Sequence, residues 1–128
     1  MKYEQFIAEV KNLAELDSNE DAQEATRATL ETLKERLAGN EPSNLAAQLP
    51  PEVAFYVEGE GGREAFSVEE FYDRVAKKEG VGTDEAIRHT RAVATVVQTA
   101  VTGGELDGVR SQLGDEYREL FGQSGATA

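Results

Sequence analysis

His89 is the side chain best suited to chemistry near neutral pH, because it is the only histidine in the chain and histidine alone titrates there without perturbation. Glu85 lies four residues earlier, so on a helix both side chains would project from one face and could share a divalent metal ion. A helical di-metal site needs further ligand pairs, such as a Glu-x-x-His motif, and the chain offers none. We therefore expect a histidine beside an acid on a helix flank, and no metal ligands.

The position of His89 on its helix leaves two explanations for its surroundings. A helical wheel places it next to Ala92 and Val96, away from the apolar stripe that includes Val93 and Val97. This flank is either an interface with another molecule or a second side of a long helix that its own domain covers. We favour the second explanation.

Adjacent acidic residues offer another possible chemistry, general acid–base catalysis. Glu69 with Glu70 and Asp115 with Glu116 are two such pairs. In a chain with 25 acidic residues, neighbouring carboxylates are expected at solvated helix starts, where they favour the helix dipole. Because nothing in the pattern directs two carboxylates into one cleft, we predict no catalytic residue.

The glycine-rich segments do not have the pattern of a phosphate-binding loop. Residues 59–62 are followed by Arg63-Glu64 instead of the Gly-Lys-Ser/Thr of that loop, and Gly103-Gly104 precedes the acidic Glu105. The chain also lacks a Gly-x-Ser-x-Gly nucleophile elbow. We interpret both segments as turns and predict no cofactor-binding residue.

Basic residues are concentrated in one stretch of the second half, although acids are interspersed with them, so a solvated face is the simplest interpretation. If this stretch contacts a partner, an acidic protein surface suits it better than DNA. The candidate contact residues are Arg74, Lys78, Arg88, His89 and Arg91.

Composition limits the classes of partner. The formal net charge of -12 repels phosphate backbones, which disfavours nucleic acid. No apolar run reaches the length of a membrane span, the start lacks the apolar stretch of a secretory signal, and the chain has no cysteine. We expect a cytoplasmic protein without membrane, nucleic-acid or cofactor partners.

One sequence pattern occurs twice in the chain. In the second helical stretch and beyond it, residues 64 apart correspond, such as Leu33 and Val97, whereas upstream the spacing is 65, as for Phe6 and Phe71. Matching apolar and glycine positions over such a length predict two copies of one supersecondary unit. Each half alone would be marginally stable, so we expect the copies to share a core.

Apolar spacing of three and four residues predicts helices throughout the chain. A β interpretation of residues 92–101, which are rich in Val and Thr, is set aside because the corresponding segment 22–37 has a clear helical composition. Ser18, Asn19 and Asp21 are cap-like side chains before the second helix, and Ser67 and Thr83 are predicted caps of later helices. The predicted helices span 3–16, 22–37, 42–49, 51–57, 68–79, 84–101, 105–113 and 115–121.

Three segments resemble one protein family. They are Gln48-Leu49-Pro50-Pro51-Glu52-Val53, its counterpart in 112–121, and Phe71-Tyr72-Asp73-Arg74-Val75-Ala76. Over roughly 3–121 the chain resembles the bacterial domain-of-unknown-function family numbered twenty-two sixty-seven. The resemblance implies an all-helical, internally duplicated domain and brings no established activity, catalytic residue or cofactor.

We therefore predict an all-α single domain of two pseudo-symmetric repeats, each with two longer helices followed by two short ones. The predicted parts are repeat one (3–57), a connector (58–66), repeat two (67–121) and a flexible tail (122–128). The favoured function is a non-enzymatic protein-interaction or accessory domain that binds a protein partner or forms a homodimer. The alternative is a small-ligand or metal-binding protein, and even an enzyme, with its pocket between the repeats.

Overall fold

The computed structural model describes residues 1–122, so all of the predicted tail except Gly122 lies outside the described residues. Within that range the secondary structure is helical and contains no strand, which confirms the all-α prediction. None of these helices combines the length and apolarity needed to cross a membrane. The helices are α1 (Tyr3–Leu13), α2 (Asn19–Arg36), α3 (Glu41–Ala46), α4 (Pro51–Ala54), α5 (Val68–Glu79), α6 (Thr83–Ala100), α7 (Gly103–Leu113) and α8 (Arg118–Phe121), with a 3-10 turn (Asp115–Tyr117) before α8.

Side-chain caps set the starts of several helices. The Ser18 hydroxyl accepts a hydrogen bond from the Asp21 N–H at 3.1 Å, and the Ser67 hydroxyl accepts one from the Glu70 N–H at 3.1 Å, which confirms both predicted caps. The prediction for Thr83 is wrong, because Gly82 is the capping residue and Thr83 is already helical. Gly82 has an extended backbone, with φ -74° and ψ 165°, and the helix start has no capping hydrogen bond from a side chain.

The interpretation of Gly103-Gly104 as a turn is also wrong. Both glycines lie in the first turn of α7, and Thr102 caps that helix by accepting a hydrogen bond from the Glu105 N–H at 3.3 Å. The Thr hydroxyl satisfies a donor that a helix start leaves unpaired, so the helix begins two residues earlier than the apolar pattern indicates.

Four longer helices form the body of the fold. Helix α1 packs against α2 and α6, α5 packs against α6 and α2, and α2 contacts α6 directly. Phe6 and Phe71 are fully buried in this core, as are Leu33 and, to 1% exposure, Val97. Residues 92–101 belong to α6 and its C-cap, so the strand interpretation does not apply.

Helices α2 and α6 bury the same pattern of positions. Both have 18 residues, and every buried residue of α6 lies 64 positions after a buried residue of α2. Duplicated units would produce this agreement, although the pseudo-symmetry of the whole domain stays a prediction. The buried sets are Ala22, Ala25, Thr26, Ala28, Thr29, Leu30, Thr32 and Leu33 in α2, and Ala86, His89, Thr90, Ala92, Val93, Ala94, Val96 and Val97 in α6.

Two glutamines link the halves of the chain reciprocally. The Gln48 side-chain oxygen accepts a hydrogen bond from the Thr102 N–H at 2.7 Å. The Gln112 side-chain oxygen accepts one from the Ala38 N–H, also at 2.7 Å. Each glutamine therefore satisfies a backbone donor just after the long helix of the other half.

The glycines before α5 permit a close backbone approach. The Gly61 N–H donates to the Gly39 carbonyl at 3.0 Å, and the Gly62 N–H donates to the Lys34 carbonyl at 2.9 Å. A Cβ atom on Gly61 would lie 2.1 Å from the Leu37 carbonyl oxygen, a contact that no side chain tolerates. These glycines are thus required for packing the connecting segment along the end of α2.

The turns after α1 and α5 use the same backbone motif with different residues. The Leu16 N–H donates to the Lys11 carbonyl at 2.9 Å, and the Val81 N–H donates to the Ala76 carbonyl at 3.1 Å. The left-handed residue is Gly80 in the second turn, with φ 71°, and Glu15 in the first, with φ 55°. Glu15 therefore carries a steric cost that Gly80 avoids.

We expect Glu15→Gly to increase the free energy of unfolding by about 1 kcal/mol, because glycine adopts this conformation without the Cβ clash. Gly80→Ala should decrease it by about the same amount through backbone strain alone, since no atom lies within 4 Å of the added Cβ. Urea unfolding measures both changes. Ala8→Gly, inside α1, is the control and should destabilise by about 1 kcal/mol; a loss of stability in Glu15→Gly would contradict the prediction.

Candidate functional site

A cavity of about 380 Å³ lies at the end of the bundle where the α1–α2 and α5–α6 turns meet. One wall comes from the α1–α2 turn and the start of α2, and the other from the α5–α6 turn and the start of α6. Six acidic side chains and a single basic side chain, Arg88, line it together with His89. The lining acids are Glu15, Asp17, Asp21, Glu24, Glu79 and Glu85.

His89 is held in this wall by an acid that sequence spacing did not identify. Its Nδ1 lies 2.8 Å from Oε1 of Glu79, and the two side chains are only 5% and 4% exposed. Nε2 of His89 and Oε2 of Glu79 are buried without a hydrogen-bond partner. Spacing along one helix pointed to Glu85, whereas Glu79 ends the preceding helix and reaches His89 across the tight turn.

The flank of α6 around His89 is covered by the domain itself. His89 is 4% exposed, Ala92 is 5% exposed and Val96 is fully buried. The explanation we favoured, that the domain itself covers a second side of this long helix, is therefore confirmed. Across residues 1–122, no group of three or more His, Cys, Asp or Glu is arranged to hold a metal ion.

Two candidate contact residues, Arg74 and Lys78, are engaged within the domain. Arg74 forms ion pairs of 3.0 to 3.1 Å with Glu35, Glu64 and Glu70, and its guanidinium carbon lies 3.9 Å from the centre of the Phe66 ring. Lys78 Nζ lies 3.0 Å from a Glu35 carboxylate oxygen. These contacts fasten the middle and the end of α5 to α2 and to the connecting segment.

The other two basic candidates, Arg88 and Arg91, line a shallow groove of about 380 Å³ between α6 and the end of α1, and Arg88 also borders the acidic cavity. Arg88 donates from Nε to the Ala14 carbonyl at 3.0 Å, and Arg91 forms an exposed ion pair of 3.3 Å with Glu119. Leu13 also lines the groove and is 51% exposed. The groove thus combines an exposed apolar side chain with two guanidinium groups.

A second acidic feature, the Glu41–Glu105 pair, lies where α3 packs against α7. Burial, together with a hydrogen bond to Glu41 and the charge of Glu41, raises the pKa of Glu105 to about 8. Gly108 allows the approach, because a Cβ there would lie 2.7 Å from a Glu41 carboxylate oxygen. The residues are 64 apart, so the repeat pattern contained a signal for this pair that spacing within one helix did not.

This raised pKa predicts a pH-dependent stability. The folded protein keeps the Glu105 proton up to about pH 8, whereas the unfolded chain loses it near the ordinary pKa of 4.5. The contribution of Glu105 is therefore fully present below pH 4.5, is lost progressively as the pH rises to about 8, and then stays constant. We expect Glu105→Gln to remove this decline, because a glutamine side chain has no proton to lose in this pH range.

Urea midpoints of the protein and of Glu105→Gln, measured from pH 5 to pH 9, test this prediction. The stability gained by the variant should grow with pH and level off above about pH 8. Glu52→Gln, at an exposed position of α4, is the control and should follow the unsubstituted protein. Parallel profiles for Glu105→Gln and the unsubstituted protein would contradict the assignment.

Comparison with known proteins gives a family but no activity. No curated protein matches the chain at a significant level. A family model described as "Uncharacterized conserved protein (DUF2267)" matches residues 3–120, which agrees with the extent of the resemblance noted in the sequence. The chain therefore belongs to the DUF2267 family of uncharacterised conserved proteins.

Proposed function

We propose that this chain is a non-catalytic protein-interaction domain that acts in the cytoplasm and is built from two pseudo-symmetric repeats. The repeats are 3–57 and 67–121, and 58–66 connects them. Identical spacing of the buried positions in α2 and α6, and the reciprocal contacts of Gln48 and Gln112, support the duplication. The proposed contact surface is the groove between the end of α1 and α6.

The observation that carries the proposal is the exposed Leu13 beside two arginines. Leu13 and Phe55 are the two large apolar side chains that stay exposed within residues 1–122, and Leu13 lies in a groove. Arg88 and Arg91 border the same groove, against one acid, Asp84. An apolar anchor with cationic neighbours suits a partner segment that carries an apolar side chain next to carboxylates.

The charge of the chain narrows the class of partner further. With a net charge of -12, most of the surface repels acidic molecules at long range, so a local basic groove selects a partner by close contact. DNA or RNA would face that repulsion along its whole length. A second copy of this chain could supply the acidic segment, and a homodimer is then one form of the proposed interaction.

A second function, binding of a small molecule, is favoured by the acid-lined cavity between the α1–α2 and α5–α6 turns. Its walls come from both proposed repeats, as the alternative function predicted from the sequence requires. Among their lining residues this cavity and the groove share only Arg88, so substitutions at the other positions affect one site and not the other. The two functions can therefore be tested separately.

Site-specific photo-crosslinking tests the interaction. A photoreactive amino acid at position 13 should cross-link a protein from the source cells or a second copy of the chain. Leu13→Asp should weaken capture of that protein by about tenfold or more, because a carboxylate would have to be desolvated beside the partner's own carboxylates. Light scattering across a salt series reports whether the captured partner is a second copy.

Position 8 supplies the matched control. Ala8 is exposed on the same helix, so a photoreactive residue there should not cross-link, and Ala8→Asp should leave capture unchanged. Cross-linking that is equal from positions 8 and 13, or capture that Leu13→Asp does not reduce, would contradict the proposed surface.

A further inference from the structure

Two large apolar side chains stay exposed in the part of the chain that the structure describes, and their electrostatic surroundings are opposite. Leu13, which is 51% exposed, lies in the groove bordered by Arg88 and Arg91. Phe55, which is 71% exposed, follows α4, and the residues on either side of it along the chain are acidic or uncharged. One surface is therefore apolar and basic, and the other is apolar and acidic.

The fold does not require an apolar side chain at either position. At the corresponding positions of the proposed second repeat, 65 residues after Leu13 and 64 after Phe55, the chain has Lys78 and Glu119. Both of these side chains are charged. Because packing accepts a charged residue at each place, the two exposed apolar residues of the proposed first repeat are explained better by contact with another molecule.

Residues 52–58, which we call the knob, hold Phe55 on regular backbone. The Phe55 N–H donates to the Pro51 carbonyl at 3.1 Å, and the Glu58 N–H donates to the Ala54 carbonyl at 2.9 Å. Helical turns therefore continue past the end of α4. An anchor on such a backbone loses less conformational freedom on binding than one on an irregular loop.

Two carboxylates flank the Phe55 ring. Glu52 lies three residues before Phe55 and Glu58 lies three residues after it, a spacing that places side chains next to each other on helical turns. Both are exposed, and neither takes part in an ion pair with another described residue. Residues 37–62 contain four acids and no lysine or arginine. The knob thus combines an apolar anchor with unpaired negative charge.

The groove offers the complementary groups. Arg88 uses only Nε in its hydrogen bond to the Ala14 carbonyl, so Nη1 and Nη2 take part in no hydrogen bond with the described residues. The ion pair of Arg91 with Glu119 is exposed and 3.3 Å long, and such surface pairs are weak. Both guanidinium groups can therefore receive carboxylates from a partner.

We propose that the knob of one copy of this chain inserts into the groove of a second copy. Phe55 packs against Leu13, and the carboxylates on either side of it lie beside Arg88 and Arg91. Since each copy has a net charge of -12, whole copies repel each other, and the attraction is confined to this contact. The inference rests on the first of the proposed functions and specifies its partner.

Sedimentation equilibrium tests the two anchors. At about 0.15 M salt, where the screening length is about 8 Å, the mass of the unsubstituted chain should rise between about 10 μM and about 1 mM, the range of weak interfaces. Phe55→Glu and Leu13→Asp should each raise the dissociation constant by about tenfold or more. Both positions are exposed, so the variants should fold, as circular dichroism would show.

Ser111→Glu is the control for these variants. It adds the same negative charge at an exposed position of α7, outside both surfaces, and its dissociation constant should stay within about twofold of the unsubstituted chain. An unsubstituted chain that remains monomeric over the whole concentration range would overturn the inference, and so would equal losses in Ser111→Glu and Phe55→Glu.

Mixing the two anchor variants tests whether Phe55 and Leu13 meet each other. Phe55→Glu has an intact groove and Leu13→Asp has an intact knob, so an equimolar mixture contains one complete contact. The mixture should form dimers with one chain of each kind at concentrations where neither variant associates alone. No increase of mass on mixing would show that the knob and the groove are not partners.

Removing the knob charges distinguishes a specific contact from general repulsion. Glu52→Gln/Glu58→Gln should weaken association by about fivefold or more, because two carboxylates facing arginines are lost. Glu69→Gln/Asp73→Asn removes two exposed charges from α5 and should not weaken it. Repulsion between acidic copies alone predicts stronger association in both double variants, and that result would contradict the proposed contact.

Cross-linking from position 13 separates the partner from the proposed function. A chain that stays monomeric but cross-links a different protein, with capture lost in Leu13→Asp, would overturn the second copy as partner and retain the interaction surface. If the chain neither self-associates nor cross-links from position 13, the inference and the proposed interaction function fail together.

Discussion

The fold depends on the contact between α2 and α6, because each of these long helices has more apolar surface than its own hairpin partner covers. Both α2 and α6 pack against α1, α5 and each other, and Leu33 and Val97 are buried on these two long helices. A single helical hairpin would leave such a face in water, so neither half of the chain completes a core alone. Burial of apolar surface does not by itself fix how the halves are oriented. Gln48 and Gln112 help to fix it, because each accepts a hydrogen bond from the backbone just beyond the long helix of the other half.

The sequence was sufficient to predict helices in which apolar residues repeat every three or four positions over a long stretch. It was also sufficient for caps that have a side-chain signature. Ser67 was recognised because Glu70, three residues later, completes a capping-box spacing, and Ser18 was one of three cap-like side chains before a helical run. Thr83 is also a hydroxyl residue before a helical apolar pattern, yet Gly82 takes the capping position, because the choice between neighbouring residues depends on the backbone path of the turn. Gly61 shows the same limit. Glycine is required there because the Leu37 carbonyl at the end of α2 leaves no room for a Cβ atom, and the sequence around Gly61 does not reveal that contact.

The candidate site was less predictable, because its contacts cross between elements. Spacing within one helix associated His89 with Glu85, whereas the ring is bound by Glu79 across a turn. Charge counting grouped Arg74 with Arg91, whereas Arg74 contacts three carboxylates of its own domain and Arg91 lies on another face. One-dimensional grouping fails in both cases since a helix rotates neighbouring residues onto different faces and a turn brings distant ones together.

Comparing the halves of the chain separates structural residues from residues with another role. Positions that both proposed repeats fill with similar side chains, such as Phe6 and Phe71, are those that the shared core requires. Where the repeats differ at a buried position, packing does not explain the difference, and the polar member carries a desolvation cost that the apolar member avoids. Ala25 and His89 are such a pair, and so are Ala14 and Glu79, whose side chain is 4% exposed. Both polar side chains lie in one cavity wall. A desolvation cost that falls on two residues in contact, in only one half, is therefore not required by the packing that the two halves share.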